Sequence, residues 1–279
     1  MKVYSDFEYD DLEKPIIDKI NYLENKILNF INAKLNIYLT GNEITINLNN
    51  KNIGNAELTL LSSVNFKNLE ELNLSHNNIS DIKSLKDFNF RKLKKLDLSF
   101  NKINKIKTSS NENHTFKQND IQKKITSQKI DINLDNNNLI QKDIEEIKNL
   151  ILNVYSVSND DDYFSDFRLN KEYLNNIYNN EKKRKAKLLE KIDIIQKKIL
   201  QYFNMKLNIH LTGKEIILNL NNKKIGNLEL DLLNGVNFKN LEKLILRNNN
   251  ISNIKCLKNF KNLKVLDLSF NKINNIKDL

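Results

Sequence analysis

The stretch Leu93-Lys-Lys-Leu96-Asp-Leu98-Ser-Phe-Asn101-Lys-Ile103 decides the fold, because its pattern L-x-x-L-x-L-x-x-N-x-I recurs along the chain. The same pattern occurs at Leu69–Ile79, Leu241–Ile251 and Leu263–Ile273, and a looser copy lies at Lys129–Leu139. The alternation in L-x-L puts both leucines on one face of a strand that is too short to bury that face alone. Stacking of neighbouring units therefore predicts one continuous core.

Each unit carries an asparagine just after its strand, where the chain must turn sharply. An amide both donates and accepts hydrogen bonds, so a buried one can bond backbone groups that the turn leaves unpaired. The predicted turn asparagines are Asn77, Asn101, Asn137, Asn249 and Asn271. Beyond the turn, apolar residues at three-residue steps predict a return arm of loop, short helix or tight helical turns.

The full unit L-x-x-L-x-L-x-x-N-x-I-x-x-I-x-x-L-x-x-F fits Leu241–Phe260 throughout. This is the signature of leucine-rich repeats. It resembles the repeat class of type 1 protein phosphatase regulatory subunits and bacterial internalins. The resemblance implies an α/β leucine-rich-repeat solenoid with parallel strands on the concave face. It also implies protein partners, among which a phosphatase catalytic subunit is one candidate.

Residues 26–88 reappear at 198–260 with identical residues at most positions, which predicts two tandem modules. Apolar residues spaced three and four apart predict a helix at the start of each copy, and Pro15 fits the first turn of the first helix. An alternating strand from Leu35 to Leu39 and a Thr-Gly turn then predict a hairpin. Helix and hairpin together would cap the open end of the core.

The predicted modules span residues 11–158 and 180–279, each with this N-terminal cap. Residues 159–179 contain an acidic run without periodicity and are a predicted linker. The polar segment Thr108–Asp120 carries no repeat signal and is a predicted loop insertion.

The first unit of each copy departs from the pattern. Glu43 and Glu215 replace the leading leucine, and Lys51 and Lys223 replace the turn asparagine, as expected beside a cap. The second copy stops at Leu279 without the further unit seen in the first copy. The last strand is therefore expected to present an edge, which fits either a fragment or coverage by another chain.

Composition limits the class of protein. The net charge of +10 predicts weak attraction to acidic partners, although the abundance of Lys, Asn and Ile is also typical of an AT-rich genome. A single cysteine, Cys256, excludes an internal disulfide. No apolar leader follows Met1 and no stretch is long enough to span a membrane, so an intracellular location, cytoplasmic or nuclear, is expected.

The sequence shows no recognisable catalytic, cofactor or metal motif. Its three histidines are scattered, its five glycines form no phosphate-binding loop, and its carboxylates form no acid–base pair. We therefore expect no enzyme activity, no cofactor and no metal. The basic run Lys182–Lys185 is interpreted as a solvated helix end that precedes a helix starting near Ala186, with a nuclear import signal or nucleic-acid contact as the alternative.

The predicted partner-binding residues are those that point outward from the strands, because the strands of such a solenoid line its concave face. In the first module they are Glu71, Asn73, Ser75, Lys95, Asp97, Ser99 and Phe100, and in the second Lys243, Ile245, Arg247, Val265, Asp267 and Phe270. The copies differ most at these positions, which predicts different surfaces for the two modules; drift on an unconstrained face is the alternative. The two phenylalanines are interpreted first as cover for the turn between units and second as partner anchors.

These features favour a non-catalytic protein–protein interaction scaffold, for which a regulatory subunit of a phosphatase or similar complex is one form. Nucleic-acid binding by the strand faces is disfavoured, because the first face offers acids and amides rather than cations and aromatics. The alternatives are a basic nucleic-acid or ribonucleoprotein-associated protein and an incomplete fragment of a longer repeat protein. Neither the identity of the partner nor the oligomeric state follows from the sequence.

Overall fold

The computed structural model describes residues 9–88, 92–104, 130–137, 139, 143–145, 147–148 and 171–275. The helices are α1 (Tyr9–Leu35), α2 (Asn55–Leu61), α3 (Lys171–Leu207) and α4 (Asn227–Leu233), with 3-10 turns at Lys83–Asp87 and Lys255–Asn259. The strands are β1 (Thr45–Asn47), β2 (Glu71–Asn73), β3 (Lys95–Asp97), β4 (Asp131–Asn133), β5 (Ile217–Asn219), β6 (Lys243–Ile245) and β7 (Val265–Asp267). The predicted insertion at Thr108–Asp120 and residues 159–170 of the predicted linker lie outside these ranges.

The strands form two parallel sheets, β1-β2-β3-β4 and β5-β6-β7, in the order of the chain. Corresponding repeat positions pair directly, so that Leu72 lies opposite Leu96 and Leu244 opposite Leu266. Each strand is only three residues long, and the hydrogen bonds between two such short strands do not make the pair stable on its own. Stacking of successive repeats buries the central leucines, each worth roughly 1.5–3 kcal/mol. The predicted α/β class and the parallel pairing of neighbouring repeats are confirmed.

Asn101 shows how one repeat is attached to the previous one. Its side chain is 8% exposed. Its Oδ1 accepts from the N–H of Ile79 in the preceding repeat at 3.0 Å, and its Nδ2 donates to Leu74 O at 2.9 Å in that same repeat. The same Nδ2 donates to Leu98 O at 3.0 Å and Ser99 O at 3.2 Å in its own turn. One amide therefore closes its own turn and joins two repeats.

The other turn asparagines repeat this arrangement. Asn77 bonds Ile53 N and Leu48 O of the repeat before it. The equivalent backbone partners of the remaining three are Ile103 N and Leu98 O for Asn137, Ile225 N and Leu220 O for Asn249, and Ile251 N and Leu246 O for Asn271. Both sheets are thus built on one hydrogen-bonding rule.

The return arms contain short helices, as the three-residue spacing predicts. A short helix has little intrinsic stability, so its ends must be satisfied locally. Helices α2 and α4 each begin after a glycine whose N–H donates to a glutamate three residues on: Gly54 to Glu57 at 3.1 Å and Gly226 to Glu229 at 3.0 Å. Leu58 and Leu230, in the middle of the two helices, are fully buried.

The predicted hairpin is wrong. Helices α1 and α3 continue through Leu35 and Leu207, and residues 37–40 and 209–212 form no strand. The Glu43 carboxylate explains the difference, because Oε1 accepts from Thr40 N at 2.6 Å and Oε2 from Gly41 N at 3.0 Å. The Thr-Gly segment is thereby held as a local turn rather than paired across a hairpin.

The starts of both long helices also differ from prediction. Helix α1 begins at Tyr9, so Pro15 lies inside the helix rather than in its first turn. Proline costs an interior helix one N–H bond, a loss that burial of the apolar face of this helix outweighs. Helix α3 begins at Lys171, not near Ala186, so residues 171–179 of the predicted linker are helical. The basic run Lys182–Lys185 then lies within the helix, beyond the N-terminal turn where positive charge is unfavourable.

The chain divides into two compact units, residues 34–165 and residues 1–33 with 166–279. We call them the first-sheet unit and the second-sheet unit. The sequence prediction assigned the first helix to the first module, whereas all but the last two residues of α1 belong to the second-sheet unit. The exact module boundaries of 11–158 and 180–279 stay a prediction.

Helix α1 joins the second-sheet unit through a mixed apolar and charged contact. Phe30 meets Tyr202 of α3 edge to face, with ring centroids 5.2 Å apart. Lys26 is 8% exposed, and its Nζ bonds Oδ1 of Asp231 in α4 at 2.5 Å.

Among helices in the described part of the chain, none has both the length and the hydropathy of a membrane-spanning helix.

The lysines that replace the turn asparagine have a role of their own. Lys51 Nζ bonds Leu35 O at 3.5 Å, and Lys223 Nζ bonds Leu207 O at 3.1 Å. Each carbonyl is the last of a long helix, where an unpaired acceptor and the helix dipole both favour a cation. The lysines therefore tie each helix end to the first repeat that follows it.

Asn101→Ala should destabilise the chain by about 1–3 kcal/mol, because it leaves buried backbone groups of two repeats without partners. Urea unfolding followed by circular dichroism would measure the loss. Asn78→Ala is the matched control: Asn78 is exposed, its amide bonds the exposed Asn52 side chain, and its replacement should cost less than about 0.5 kcal/mol. Equal losses from the two variants would contradict the joining role of Asn101.

The Glu43 and Glu215 turns should make stability depend on acid. Burial opposes ionisation of each carboxyl, but hydrogen bonds from Thr40 and Gly41 to Glu43, and from Thr212 to Glu215, lower the pKa below the ordinary 4.5. Because the folded-state pKa is lowered, the stabilisation is complete above the unfolded value and is lost as pH falls through the folded one. A Glu43→Gln, Glu215→Gln double variant should be less stable than the parent at neutral pH and equally stable well below pH 4.5. A difference that persists in acid would show that ionisation is not the cause.

Candidate partner-binding faces

The outward side of each sheet carries most of the predicted partner-binding residues. We call the outward side of β1–β4 the first face and that of β5–β7 the second face. The middle residue is buried in β1–β6 and half-buried in β7, and the first and third residues of each strand are more exposed or point to the opposite side. Parallel register aligns these outward residues into an outer row of first positions and an inner row of third positions.

The outer row of the first face alternates in charge. Thr45, Glu71, Lys95 and Asp131 lie in register on adjacent strands, and all four are exposed. Opposite charges on neighbouring strands stabilise the pairing weakly. Their exposure leaves most of this charge pattern open to a partner.

The inner row of the first face serves the scaffold. Asn73 Oδ1 accepts from Ser75 N, and Asp97 Oδ1 accepts from Ser99 N, both at 2.9 Å. Asn47 and Asn133 make the same bond to the second residue after them, at 3.1 and 3.0 Å. This Asx turn starts the bend that the buried asparagine completes.

Ser75 and Ser99 lie beneath the surface rather than on it. Both are 4% exposed, and their hydroxyls donate at 2.7 Å to Asn73 and Asp97. The geometry therefore does not favour a partner contact for either serine. The pattern alone could not distinguish them from the outward residues that precede them.

A stacked aromatic pair lies at the edge of the first face. The rings of His76 and Phe100 are 4.1 Å apart and 8° from parallel. Both residues have φ near +54° and +53°, at a turn position that Asn136 and Asn50 occupy in the flanking repeats. A non-glycine residue pays about 1–2 kcal/mol for this conformation, and asparagine is among the residues that adopt it most readily. Phe100 is 47% exposed, so its ring is only partly covered by this stacking.

The second face is apolar and cationic. Ile217 and Val265 flank Lys243 in the outer row, and they are 58% and 47% exposed. The guanidinium carbon of Arg247 lies 4.5 Å above the ring of Phe270, which is 68% exposed and, like Phe100, has positive φ. This is a cation–π contact on an open surface.

The inner row of the second face runs Asn219, Ile245 and Asp267. Ser269 bonds the Asp267 carboxylate through its hydroxyl at 2.6 Å and its N–H at 2.9 Å. These bonds, with weaker help from Arg247 and Lys243, lower the pKa of Asp267 below its usual value. Asp267 therefore stays ionised, with one oxygen committed to its own turn.

Catalysis by the described residues would depend on metal-ligating or nucleophilic side chains. No group of three His, Cys, Asp or Glu side chains in the described ranges could hold a metal ion. Burial, reinforced by Asp231 and opposed by Lys26, raises the pKa of the Cys256 thiol to about 11. A thiol that stays protonated at neutral pH is a poor nucleophile.

Two further residues that the repeat pattern predicts to point outward lie beside the predicted binding residues. Ile217 belongs to the second face because register aligns it with Lys243 and Val265. His76 belongs to the first face because it stacks on Phe100. The signal for His76 was present in the sequence: asparagine fills most equivalent positions, and an aromatic ring there is the departure.

Comparison with protein families identifies the same repeats. The family model "Leucine Rich repeats (2 copies)" matches residues 67–111 and 239–279. The crystal structure of an internalin, inlF, from Listeria monocytogenes str. 4b F2365 aligns with 94% of this chain and 80% of its own, at 16% sequence identity and a TM-score of 0.27. No curated protein matches the sequence.

Asp97→Asn should leave stability unchanged within about 0.5 kcal/mol, because the amide oxygen still accepts from Ser99. Asp97→Ala removes that acceptor and should cost about 1 kcal/mol. Chemical unfolding of both variants would measure this. If the two lose equal stability, the charge of Asp97 matters rather than its acceptor, and the inner row does not act through Asx turns.

Proposed function

Because this chain is a leucine-rich-repeat protein, we propose that it is a non-catalytic scaffold that binds partner proteins through the first and second faces. One observation carries the proposal. Hydrogen bonds within the repeats hold each sheet, while the outer-row side chains project from that support and add only weak cross-strand charge pairing to it. A rigid support with exposed, varied side chains is the arrangement that a protein interface requires.

The tandem arrangement and the capping role of the long helices belong to the same proposal. Each helix end is tied to the following repeat by a lysine, Lys51 or Lys223. Repeat arrays need a cap where the core would otherwise open to water. An intracellular location likewise remains a proposal that rests on sequence, and no observation favours a phosphatase over other protein partners.

The test is affinity capture from the source cell's lysate with the full chain as bait, after nuclease treatment and at moderate salt. The face variant combines Lys95→Glu and Lys243→Glu, which reverse one outer-row charge on each face. The control combines Lys67→Glu and Lys239→Glu, which are exposed, equivalent positions in the two copies and lie before the strands. Both pairs lower the net charge equally, so general attraction to acidic material changes alike.

The expected result is one stoichiometric protein that the parent and the control retain and the face variant loses. Thermal unfolding must show that all three baits are folded, with at most a small loss in the face variant, because Lys95→Glu places a third acid between Glu71 and Asp131. Material that is captured only when the nuclease is omitted, or that is lost equally from both variants, would overturn the proposal and favour a charge-driven, nucleic-acid-associated role.

A further inference from the structure

Strand β6 differs from the other described strands in its inner row. Six of the seven strands place Asn or Asp at the third position, with Oδ1 accepting from the N–H two residues on. These residues are Asn47, Asn73, Asp97, Asn133, Asn219 and Asp267, with distances of 2.9–3.1 Å. Strand β6 has Ile245 there, which offers no acceptor.

A second change accompanies Ile245. In the first copy the equivalent pair is Asn73 and Ser75. The Ser75 hydroxyl donates to Asn73 Oδ1 and accepts from Asn49 Nδ2, each at 2.7 Å. The second copy has Arg247 in place of Ser75. The two linked hydrogen bonds of the Ser75 hydroxyl in the first copy therefore have no counterpart at the equivalent strand of the second copy.

What replaces these bonds lies on the surface. Ile245 is half-buried beside Lys243, and Arg247 is exposed above Phe270. Ile217 and Val265 stand where the first copy has Thr45 and Lys95, so the outer row also becomes more apolar. Random drift would not be expected to remove scaffold bonds and to produce one contiguous apolar and cationic patch. Stability given up locally is a common sign of a functional surface.

We infer that this patch, formed by Ile217, Lys243, Ile245, Arg247, Val265 and Phe270, binds an acidic segment of a partner protein that also carries apolar side chains. The inference rests on the proposed function and names the chemistry of the partner. Lys243 and Arg247 supply two cations, and the one acid of the inner row, Asp267, has an oxygen bonded to Ser269. Carboxylates of the partner would pair with the cations while its apolar side chains cover the isoleucines, Val265 and Phe270.

A protein segment fits this patch better than a nucleic acid does. Base stacking needs an open aromatic face, and Arg247 covers one face of Phe270. The three aliphatic side chains bury well against Leu, Ile or Phe and offer nothing to a phosphate or a base edge. Two cations are also few for a phosphate backbone, whose binding grows with the number of charges neutralised.

The experiment is selection from a displayed library of random linear peptides on the immobilised full chain at moderate salt. The Ile245→Asn, Arg247→Ser variant, which restores the pair present in the first copy, is supplied in solution as competitor. Selected peptides should combine Asp or Glu with Leu, Ile or Phe. In fluorescence anisotropy with a synthetic selected peptide, the restored variant should bind about tenfold or more weakly than the parent.

A measurement of melting temperature distinguishes a loss of affinity from a loss of folding. The restored variant regains an Asx turn, so its melting temperature should rise by about a few degrees while its affinity falls. Lys239→Ser removes one positive charge outside the patch and should leave the peptide affinity unchanged. A fall in affinity with a rise in stability is not what loss of structure would produce.

Several results would overturn the inference: no enrichment, a basic consensus, equal affinity of the restored variant, or displacement of the peptide by an oligonucleotide at lower concentration. The proposed function fails separately. If the lysate partner is lost with Lys95→Glu and Lys243→Glu but still binds the restored variant, the scaffold role stands and the acidic-segment inference is wrong.

Discussion

The buried turn asparagine is the interaction on which both sheets depend. A three-residue strand cannot hold its neighbour through ladder hydrogen bonds alone, and its leucines are buried only if the next repeat is in register. The amide of Asn101 fixes that register, because it bonds its own turn and the backbone of the preceding repeat at once. A hydrocarbon side chain of the same size would fill the space but would leave the backbone groups of two repeats unpaired. Apolar side chains therefore fill the core, and the buried asparagine amide fixes the register of its repeats.

The use of polar side chains in turn hydrogen bonds determines which surface residues are available for binding. Inner-row residues such as Asn73 and Asp97 look like surface groups in the sequence, yet their acceptors are used by their own turns. Outer-row residues such as Lys95 carry no such bond and differ between the copies. The second face departs from this rule at Ile245, where an apolar side chain replaces the Asn or Asp acceptor of the other strands. The outer row thus carries the exposed side chains and the inner row the turn hydrogen bonds. Strand β6 is the exception, because its inner-row residue makes no turn hydrogen bond.

The repeat pattern was enough to predict the α/β class, the parallel pairing and the position of the asparagines, because these follow from spacing and local polarity. It could not predict the partner of α1, since an amphipathic helix shows that an apolar face exists but not what covers it. The hairpin failed because alternation at Leu35–Leu39 resembles a strand, whereas Glu43 bonds the following turn through side-chain oxygens. In the candidate site, the direction of Ser75 depended on a hydrogen bond to Asn73, and the stacking of His76 on Phe100 depended on repeat register. Both are relations across the fold rather than properties of a local segment.

The assignment of α1 to the second-sheet unit has a consequence for synthesis of the chain. Lys26 and Asp231 are separated by 205 positions, and the whole first-sheet unit is made between them. At roughly 5–20 residues per second, the helix leaves the ribosome about 10–40 seconds before its ion-pair partner does. Leu23, Ile27 and Ile31 are fully buried in the finished protein and have no partner from α3 or α4 during that interval. The second-sheet unit is thus completed only late in translation, and the first-sheet unit is an insertion within it that can fold first.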